Sequence, residues 1–374
     1  MRRIAILSLA DINNYGDVFF PLVIREELKE RLTGGEIDII TNTGYSCSLF
    51  ETISYAKKRM RDYDVIIYGG GEVISPYDNN DFKSIYSKTY KGVPSNIAYE
   101  WLDLEDPVKI WFGIGAHPIL FDYPKEVQCA LDKLDYLCVR GTISKKVLDG
   151  GFTNNNGKIR VIPDLGWLFP KYVDESDSEK LLLNLGINKN QSYMVFEAVS
   201  EKNIPINPQK IAMDLVSFQR KSGVKVLLLA IIKTKGLWDE MKIIREIEDA
   251  AAGELTRLPS DFNVLQTGAI LKNAEFFVGS SLHGAITMLS YGKPVVNIRG
   301  SIHTKLQDIH ASRYRSTCFV NDWECLPGVL ERLNNEAKNK EDYKYAMLYA
   351  EYMKYRLEKE FDNLAMTILE KSKQ

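Results

Sequence analysis

Short, almost uninterrupted apolar runs alternate with stretches of helical period along the first half of the chain. Residues 4–9 read as a strand, 17–31 as a helix, 37–40 as a strand and 49–61 as a second helix. The alternation continues with Val65-Ile66-Ile67-Tyr68 into Gly69-Gly70-Gly71, then Lys109-Ile110-Trp111-Phe112 into Gly113-Ile114-Gly115, then Tyr136-Leu137-Cys138-Val139 into Arg140. Strands that are apolar on both faces are those covered by helices on both sides, so the pattern predicts a parallel, doubly wound sheet.

Around 171–180 the pattern breaks into the polar run Tyr172-Val173-Asp174-Glu175-Ser176-Asp177-Ser178-Glu179, which can bury little and predicts an exposed connection. Alternation then resumes: strand 193–199, helix 207–221, strand 224–229, helix 238–252, Phe276-Phe277-Val278, helix 284–291 and Pro294-Val295-Val296-Asn297-Ile298. A second doubly wound sheet follows. The segment 341–371, rich in Tyr, Leu, Met, Glu and Lys at helical spacing, predicts a long terminal helix packed across both lobes. Because single cores stop growing at about 250–300 residues, a chain of 374 is expected to divide. The expected division is an N-terminal lobe 1–175, a C-terminal lobe 176–335 and a helical tail 336–374, with a cleft between the lobes.

Composition narrows the partners. With 45% apolar and 26% charged residues the chain is ordinarily globular, and a formal charge of −2 gives no net pull toward nucleic acid. The cationic runs Lys57-Lys58-Arg59 and Lys145-Lys146 fall in helical patterns and read as solvated faces. Cysteines 47, 129, 138, 318 and 325 form no CxxC pair and have no His at ligand spacing, which predicts reduced, metal-free cytoplasmic usage. The opening apolar run is a strand's length rather than a signal peptide's. No run approaches the roughly 18 residues of a membrane helix, so any membrane contact is expected to be peripheral.

In open parallel sheets ligands collect beyond the carboxyl ends of the strands. That rule selects Asn13-Asn14-Tyr15-Gly16-Asp17, Gly69-Gly70-Gly71-Glu72, Gly113-Ile114-Gly115-Ala116-His117, Arg140-Gly141-Thr142, the turn Gly279-Ser280-Ser281-Leu282-His283-Gly284, and Arg299-Gly300. The 279–284 turn is the strongest. A buried strand runs into small residues whose N–H groups can reach a phosphate or carboxylate, and the following helix presents the positive end of its dipole there. His283 beside such an anion would keep a neutral imidazole for proton transfer, or else would simply cap the helix. Arg140 can grip an anion in bidentate fashion or form an ion pair. Arg299 and Lys305 could add cations or be solvated, and His303, His117 and His310 carry less. Gly70 and Gly71 permit either close ligand approach or a sharp turn. Asp17 reads as an N-cap or a substrate-binding carboxylate. Tyr77, Tyr86, Tyr90, Tyr99 and Trp101 suit sugar stacking or plain packing.

These residues, taken in order, resemble the polysaccharide pyruvyl transferase family over roughly 4–308. The matching pieces are Asn14-Tyr15-Gly16-Asp17, Gly69-Gly70-Gly71, Val139-Arg140 with Ser144 and Leu148, Pro163-Asp164, and Ser281-Leu282-His283-Gly284 with Gly292 and Pro294. The resemblance implies two Rossmann-like lobes, similar to the GT-B architecture of glycosyltransferases. It implies transfer of pyruvate from phosphoenolpyruvate onto a sugar or lipid-linked oligosaccharide as a ketal, with no cofactor and no metal. It further implies His283 as general acid/base and Arg140 as a grip on the donor. Gly279, Ser280, Ser281, Leu282, Gly284, Arg299 and Lys305 fall on the donor side, and Asn14, Gly16, Asp17, Gly70 and Gly71 on the acceptor side. Many members carry Arg where this chain has Ser281, while others read Ser-Leu-His. Asp164 is expected to cap or orient the interlobe turn. Two other functions compete: a nucleotide-sugar glycosyltransferase, against which the helix after His283 offers no carboxylate for ribose, and a non-catalytic binder of an anion or glycan.

Overall fold

The computed structural model describes residues 2–44, 47–74, 97–116, 125–151, 158–174, 176–199, 205–233, 240–298, 306, 317–320 and 322–372. Two compact units emerge: residues 1–165 with 354–374, and residues 166–353.

The first unit is built on seven parallel strands: β1 (Arg3–Leu7), β2 (Glu36–Thr41), β3 (Ile53–Ser54), β4 (Val65–Gly69), β5 (Val108–Ile114), β6 (Tyr136–Val139) and β7 (Ile159–Val161), in the order β3-β2-β1-β4-β5-β6-β7. Helices α1 (Tyr15–Arg31), α2 (Lys125–Lys133) and α3 (Thr142–Gly151) connect them. β1, β4, β5 and β6 are buried along nearly their whole length, as the continuous apolar runs require.

The second unit has six parallel strands: β8 (Tyr193–Phe196), β9 (Lys225–Leu228), β10 (Thr256–Arg257), β11 (Phe277–Gly279), β12 (Val295–Ile298) and β13 (Thr317–Val320), in the order β10-β9-β8-β11-β12-β13. Its helices are α4 (Ser176–Asn184), α5 (Pro208–Ser222), α6 (Glu240–Ala250), α7 (Val264–Asn273), α8 (Leu282–Ser290) and α9 (Leu326–Glu336). A terminal helix, α10, runs from Lys340–Lys371, and the unit boundary falls inside it between Met353 and Lys354.

One expectation is corrected. Residues 49–61 are not a helix: Ile53–Ser54 pairs with Ile40 and Thr41 as an edge strand, Arg59–Asp62 is a short 3-10 turn, and Phe50 and Met60 are buried from this irregular chain. Pairing at the sheet edge outweighs the local apolar period. The polar stretch at 171–180 is largely exposed, as at Lys171, Asp174, Glu179 and Lys180, but it is not irregular throughout: it contains the end of a 3-10 segment, Leu165–Tyr172, and the start of α4, where Ser178 is buried.

In each sheet the strand order reverses once, between β1 and β4 and between β8 and β11. The crevice at such a reversal, beyond the carboxyl ends, is where doubly wound folds bind ligands. α1 leaves the first switch point with an interior Pro21, which lacks the N–H that would bond the Asp17 carbonyl. Buried Ser8, just past β1, donates its hydroxyl to that carbonyl at 3.1 Å.

The 354–371 part of α10 is fastened to the first unit by Glu360. Its buried carboxylate accepts from Tyr136 Oη (2.6 Å), Cys138 Sγ (3.2 Å), both Nε and Nη2 of Arg160, and Asn363 Nδ2 (3.2 Å). Burial alone would raise this carboxyl, but the hydrogen bonds, led by Arg160, outweigh it and hold the group below its ordinary value. A depressed folded value stabilises above the unfolded value of about 4.3 and loses that contribution as pH falls through the folded one. Glu360→Gln is therefore expected to cost roughly 1–3 kcal/mol at neutral pH. In urea denaturation followed from pH 7 downward, the gap between wild type and variant should close in the acid range.

Candidate active site

At the second switch point Ser281 N-caps α8, its side chain accepting from Gly284 N at 3.2 Å. His283 is the second residue of the helix and half-buried, while Leu282, Ala285 and Ile286 take the burial. The expected small-residue turn at a helix N-terminus is therefore present, and its backbone N–H groups do reach an anion. That anion belongs to the protein. Glu197, the residue after β8, is fully buried and accepts from Ser280 N (2.6 Å), Ser281 N (2.8 Å) and Ser280 Oγ (2.9 Å to Oε1, 3.1 Å to Oε2). A Cβ on Gly279 would stand 2.6 Å from Glu197 Oε2 and one on Gly284 2.8 Å from the Phe277 ring, so both glycines are demanded by packing. Of the two anions expected at the 280–281 N–H groups, phosphate or carboxylate, it is a carboxylate side chain of the protein that accepts from them.

The rest of this edge is polar and buried. Asn297, at β12 and fully buried, donates Nδ2 to Gly279 O (3.0 Å) and Ser281 O (3.2 Å), clamping the turn from its other side. Its Oδ1 has no hydrogen-bond partner among the described residues. Glu240 opens α6 with its Oε2 accepting from Ile232 N at 2.6 Å. Burial, then the charge of Glu197, pushes the Glu240 carboxyl well above its ordinary value. Lys233, past β9, donates to Phe262 O at 2.5 Å, and burial lowers its ammonium to about 8 against the pull of Asp261.

At the first switch point Asn14 N-caps α1, accepting from Gly16 N at 3.2 Å, and Asp17 lies half-buried in the first turn. Asp17 is thus not the cap. Gly70 (φ +73°) and Gly71 (φ +76°) take a backbone form that favours glycine, and a Cβ on Gly70 would fall 2.2 Å from the Phe20 ring. Gly71 faces Asp17, its Cβ position 3.9 Å from Oδ1. Gly70 therefore serves packing and the turn, while Gly71 leaves room beside a carboxylate. Burial and then the charge of Asp17 push the Tyr68 hydroxyl upward, which places that hydroxyl in the field of the same carboxylate.

Arg140 follows β6 as expected, but is buried rather than superficial. Its guanidinium lies against Gly115, where a Cβ would come within 2.9 Å of Nε and Nη2, and Nη1 pairs with Asp164 Oδ2 at 3.5 Å. Asp164 is thus the counter-charge of Arg140. Arg140 Nε has no hydrogen-bond partner among the described residues. Ser144 supports the same loop by accepting from Ala116 N at 3.1 Å. Arg140 belongs to the first unit and His283 to the second. Trp101, fully buried with Nε1 donating to Ile97 O at 2.8 Å, is core, and Tyr99 packs edge-on against Trp111 with centroids 5.2 Å apart. Arg299, Gly300, Lys305, His117, His303, His310, Tyr77, Tyr86 and Tyr90 lie outside the described residues.

Among the described residues no group of three or more His, Cys, Asp or Glu is placed to hold a metal, and no helix is long and apolar enough to cross a membrane. The sequence reading missed Glu197, Glu240, Lys233 and Asn297. Glu197 was the most visible of these: a carboxylate set inside Val195-Phe196-Glu197-Ala198-Val199, at the end of a strand otherwise apolar throughout.

Two parallel doubly wound sheets, each with a polar switch point, define a GT-B-like α/β enzyme fold. The family model for polysaccharide pyruvyl transferase matches residues 14–301, and the chain belongs to that family. It is accordingly a transferase of polysaccharide biosynthesis. No curated protein matches the sequence. Among solved structures, UDP-GlcNAc 2-epimerase from Methanocaldococcus jannaschii is similar with a TM-score of 0.58 at 13% identity, covering 95% of this chain and 100% of that one. The Neisseria meningitidis UDP-GlcNAc 2-epimerase bound to UDP-GlcNAc gives 0.53 at 11% identity, with 96% and 100% covered. The wall teichoic acid polymerase TagF gives 0.56 at 10% identity, with 100% and 89% covered. At these identities the likeness speaks for the fold alone.

Proposed function

We propose that the protein transfers pyruvate from phosphoenolpyruvate onto a sugar of a polysaccharide or its precursor, closing a cyclic ketal, in the cytoplasm and without a cofactor. The observation that carries this reading is the family match across 14–301 together with His283 in the first turn of α8 at a switch point. The enol methylene must gain a proton before its neighbouring carbon can be attacked, and His283 is suited to supply it. One sugar hydroxyl then adds to that carbon, the C–O bond to phosphate breaks, and a second hydroxyl closes the ring. Two hydroxyl protons are released, one balancing the proton on the new methyl group and one leaving with phosphate.

In this reading Arg140 holds the donor's carboxylate or phosphate by its buried guanidinium, and Asp17, beside the open backbone of Gly71, orients acceptor hydroxyls. Arg299 and Lys305 offset phosphate charge. The donor anion is met by these cations and by the helix dipole rather than by the Ser280 and Ser281 N–H groups, which Glu197 occupies.

A thermal-shift comparison tests the donor. Phosphoenolpyruvate at 100 times its dissociation constant is expected to stabilise the protein by about 2.7 kcal/mol. Stabilisation by UDP-sugars alone, in keeping with the substrate named for the Neisseria epimerase, would instead make the chain a nucleotide-sugar enzyme.

A further inference from the structure

Two buried carboxyl groups meet behind the His283 turn. Glu197 takes three donors from Ser280 and Ser281, an acceptor load suited to an ionised carboxylate. Glu240 is 3% exposed, its Oε2 accepts from Ile232 N at 2.6 Å, and burial and then the charge of Glu197 push its carboxyl well above the ordinary value. Two neighbouring buried carboxyl groups cannot both carry charge without a large penalty, so one of them holds a proton. Since Glu197 is spent as an acceptor, the proton resides on Glu240. The pair is fed from four segments: the end of β8, the loop after β9, the start of α6 and the turn after β11. Among the described residues, the other titratable side chains at these junctions are Lys233, whose ammonium is turned to Phe262 O, and His283, while Lys235 and Asp239 of the loop after β9 lie outside the described residues.

We propose that Glu197 is a positioning residue that acts as the resident anion of the α8 N-terminus and fixes the turn carrying His283, and that the proton held by Glu240 keeps it there. The turn is thereby set before any substrate arrives. An arriving phosphate does not complete it, because the two innermost N–H groups are already satisfied. Loss of the Glu240 proton would place two negative charges in one buried space and weaken the hold on Ser280 and Ser281. The inference is independent of which donor the site takes.

Its pH sign follows from the raised Glu240 value. The contribution is fully present below the unfolded carboxyl value and is lost as pH rises through the folded one. The test uses the full chain, with amide exchange of the 279–284 segment and urea denaturation measured from pH 5 to 9. Wild type is expected to lose stability as pH rises. Glu240→Gln, which stays neutral, should remove that slope and keep the segment protected. Glu197→Gln should lower protection of the segment at least about tenfold, the free-energy equivalent of one charge-assisted hydrogen bond. Parallel pH profiles for wild type and Glu240→Gln overturn the proposal, and so does unchanged protection in Glu197→Gln. If Glu197→Gln fails to fold, the Glu240→Gln profile decides alone.

Discussion

Replacing His283 by Ala is expected to lower pyruvyl transfer by about 10²- to 10⁴-fold, the usual contribution of one positioned acid/base group. The fold should survive, because His283 is half-buried while Leu282, Ala285 and Ile286 supply the buried face of α8. Ser281 would still cap the helix, and Glu197 and Asn297 would still clamp the turn. If His283 plays the proposed acid/base role, the deficit should fall on kcat, since the imidazole would then act on a proton in flight rather than on ground-state binding. Phosphate release from phosphoenolpyruvate with an acceptor present, alongside thermal denaturation, separates the outcomes. Undiminished kcat in a folded variant would remove His283 from the chemistry and favour the capping role.

The largest loss of stability is expected from Gly70→Ala. A methyl group there would meet the Phe20 ring at 2.2 Å, far inside contact distance, and the backbone at φ +73° disfavours any side chain. Overpacking costs about 1–3 kcal/mol and an enforced left-handed residue about 1–3 more, for a total of roughly 2–6 kcal/mol. The midpoint of urea unfolding is the measurement. Gly71→Ala shares the backbone penalty, but among the described residues the atom its Cβ would meet is Asp17 Oδ1 at 3.9 Å, so it should cost less. Equal losses at the two positions would mean that the Phe20 contact is not decisive.

Most of the doubly wound pattern could be read from the apolar runs because parallel strands buried on both faces leave that mark directly. The runs at 65–68, 109–112 and 136–139 became β4, β5 and β6. β3 and β10, two residues each, left no mark, because pairing with a neighbour rather than local pattern makes such strands. At the candidate site, position along the chain told which loops leave the carboxyl ends of the strands, and so pointed to Asn14, Gly70, Arg140 and His283; only the first, second and fourth of these fall at the switch points. What could not be read was partnership. Glu197 lies more than eighty residues from Ser280, and nothing in a linear pattern shows that a buried carboxylate will fill a distant turn. Asp164 was expected to cap or orient a turn for the same reason, its partner Arg140 being known only once β6 and β7 are side by side.

The Ser8 hydroxyl that stands in for the missing amide of Pro21 has a mechanical consequence. It fastens the first turn of α1 to the end of β1, so the connection from Ser8 to Asn14 is pinned at both ends. The end of a central strand and the Asp17 turn, joined in this way, are expected to move as one body. An acceptor reaching Asp17 would find a stiff rim that selects by fit and not by adjustment, and Ser8→Ala would loosen that rim without touching any group that a sugar could reach.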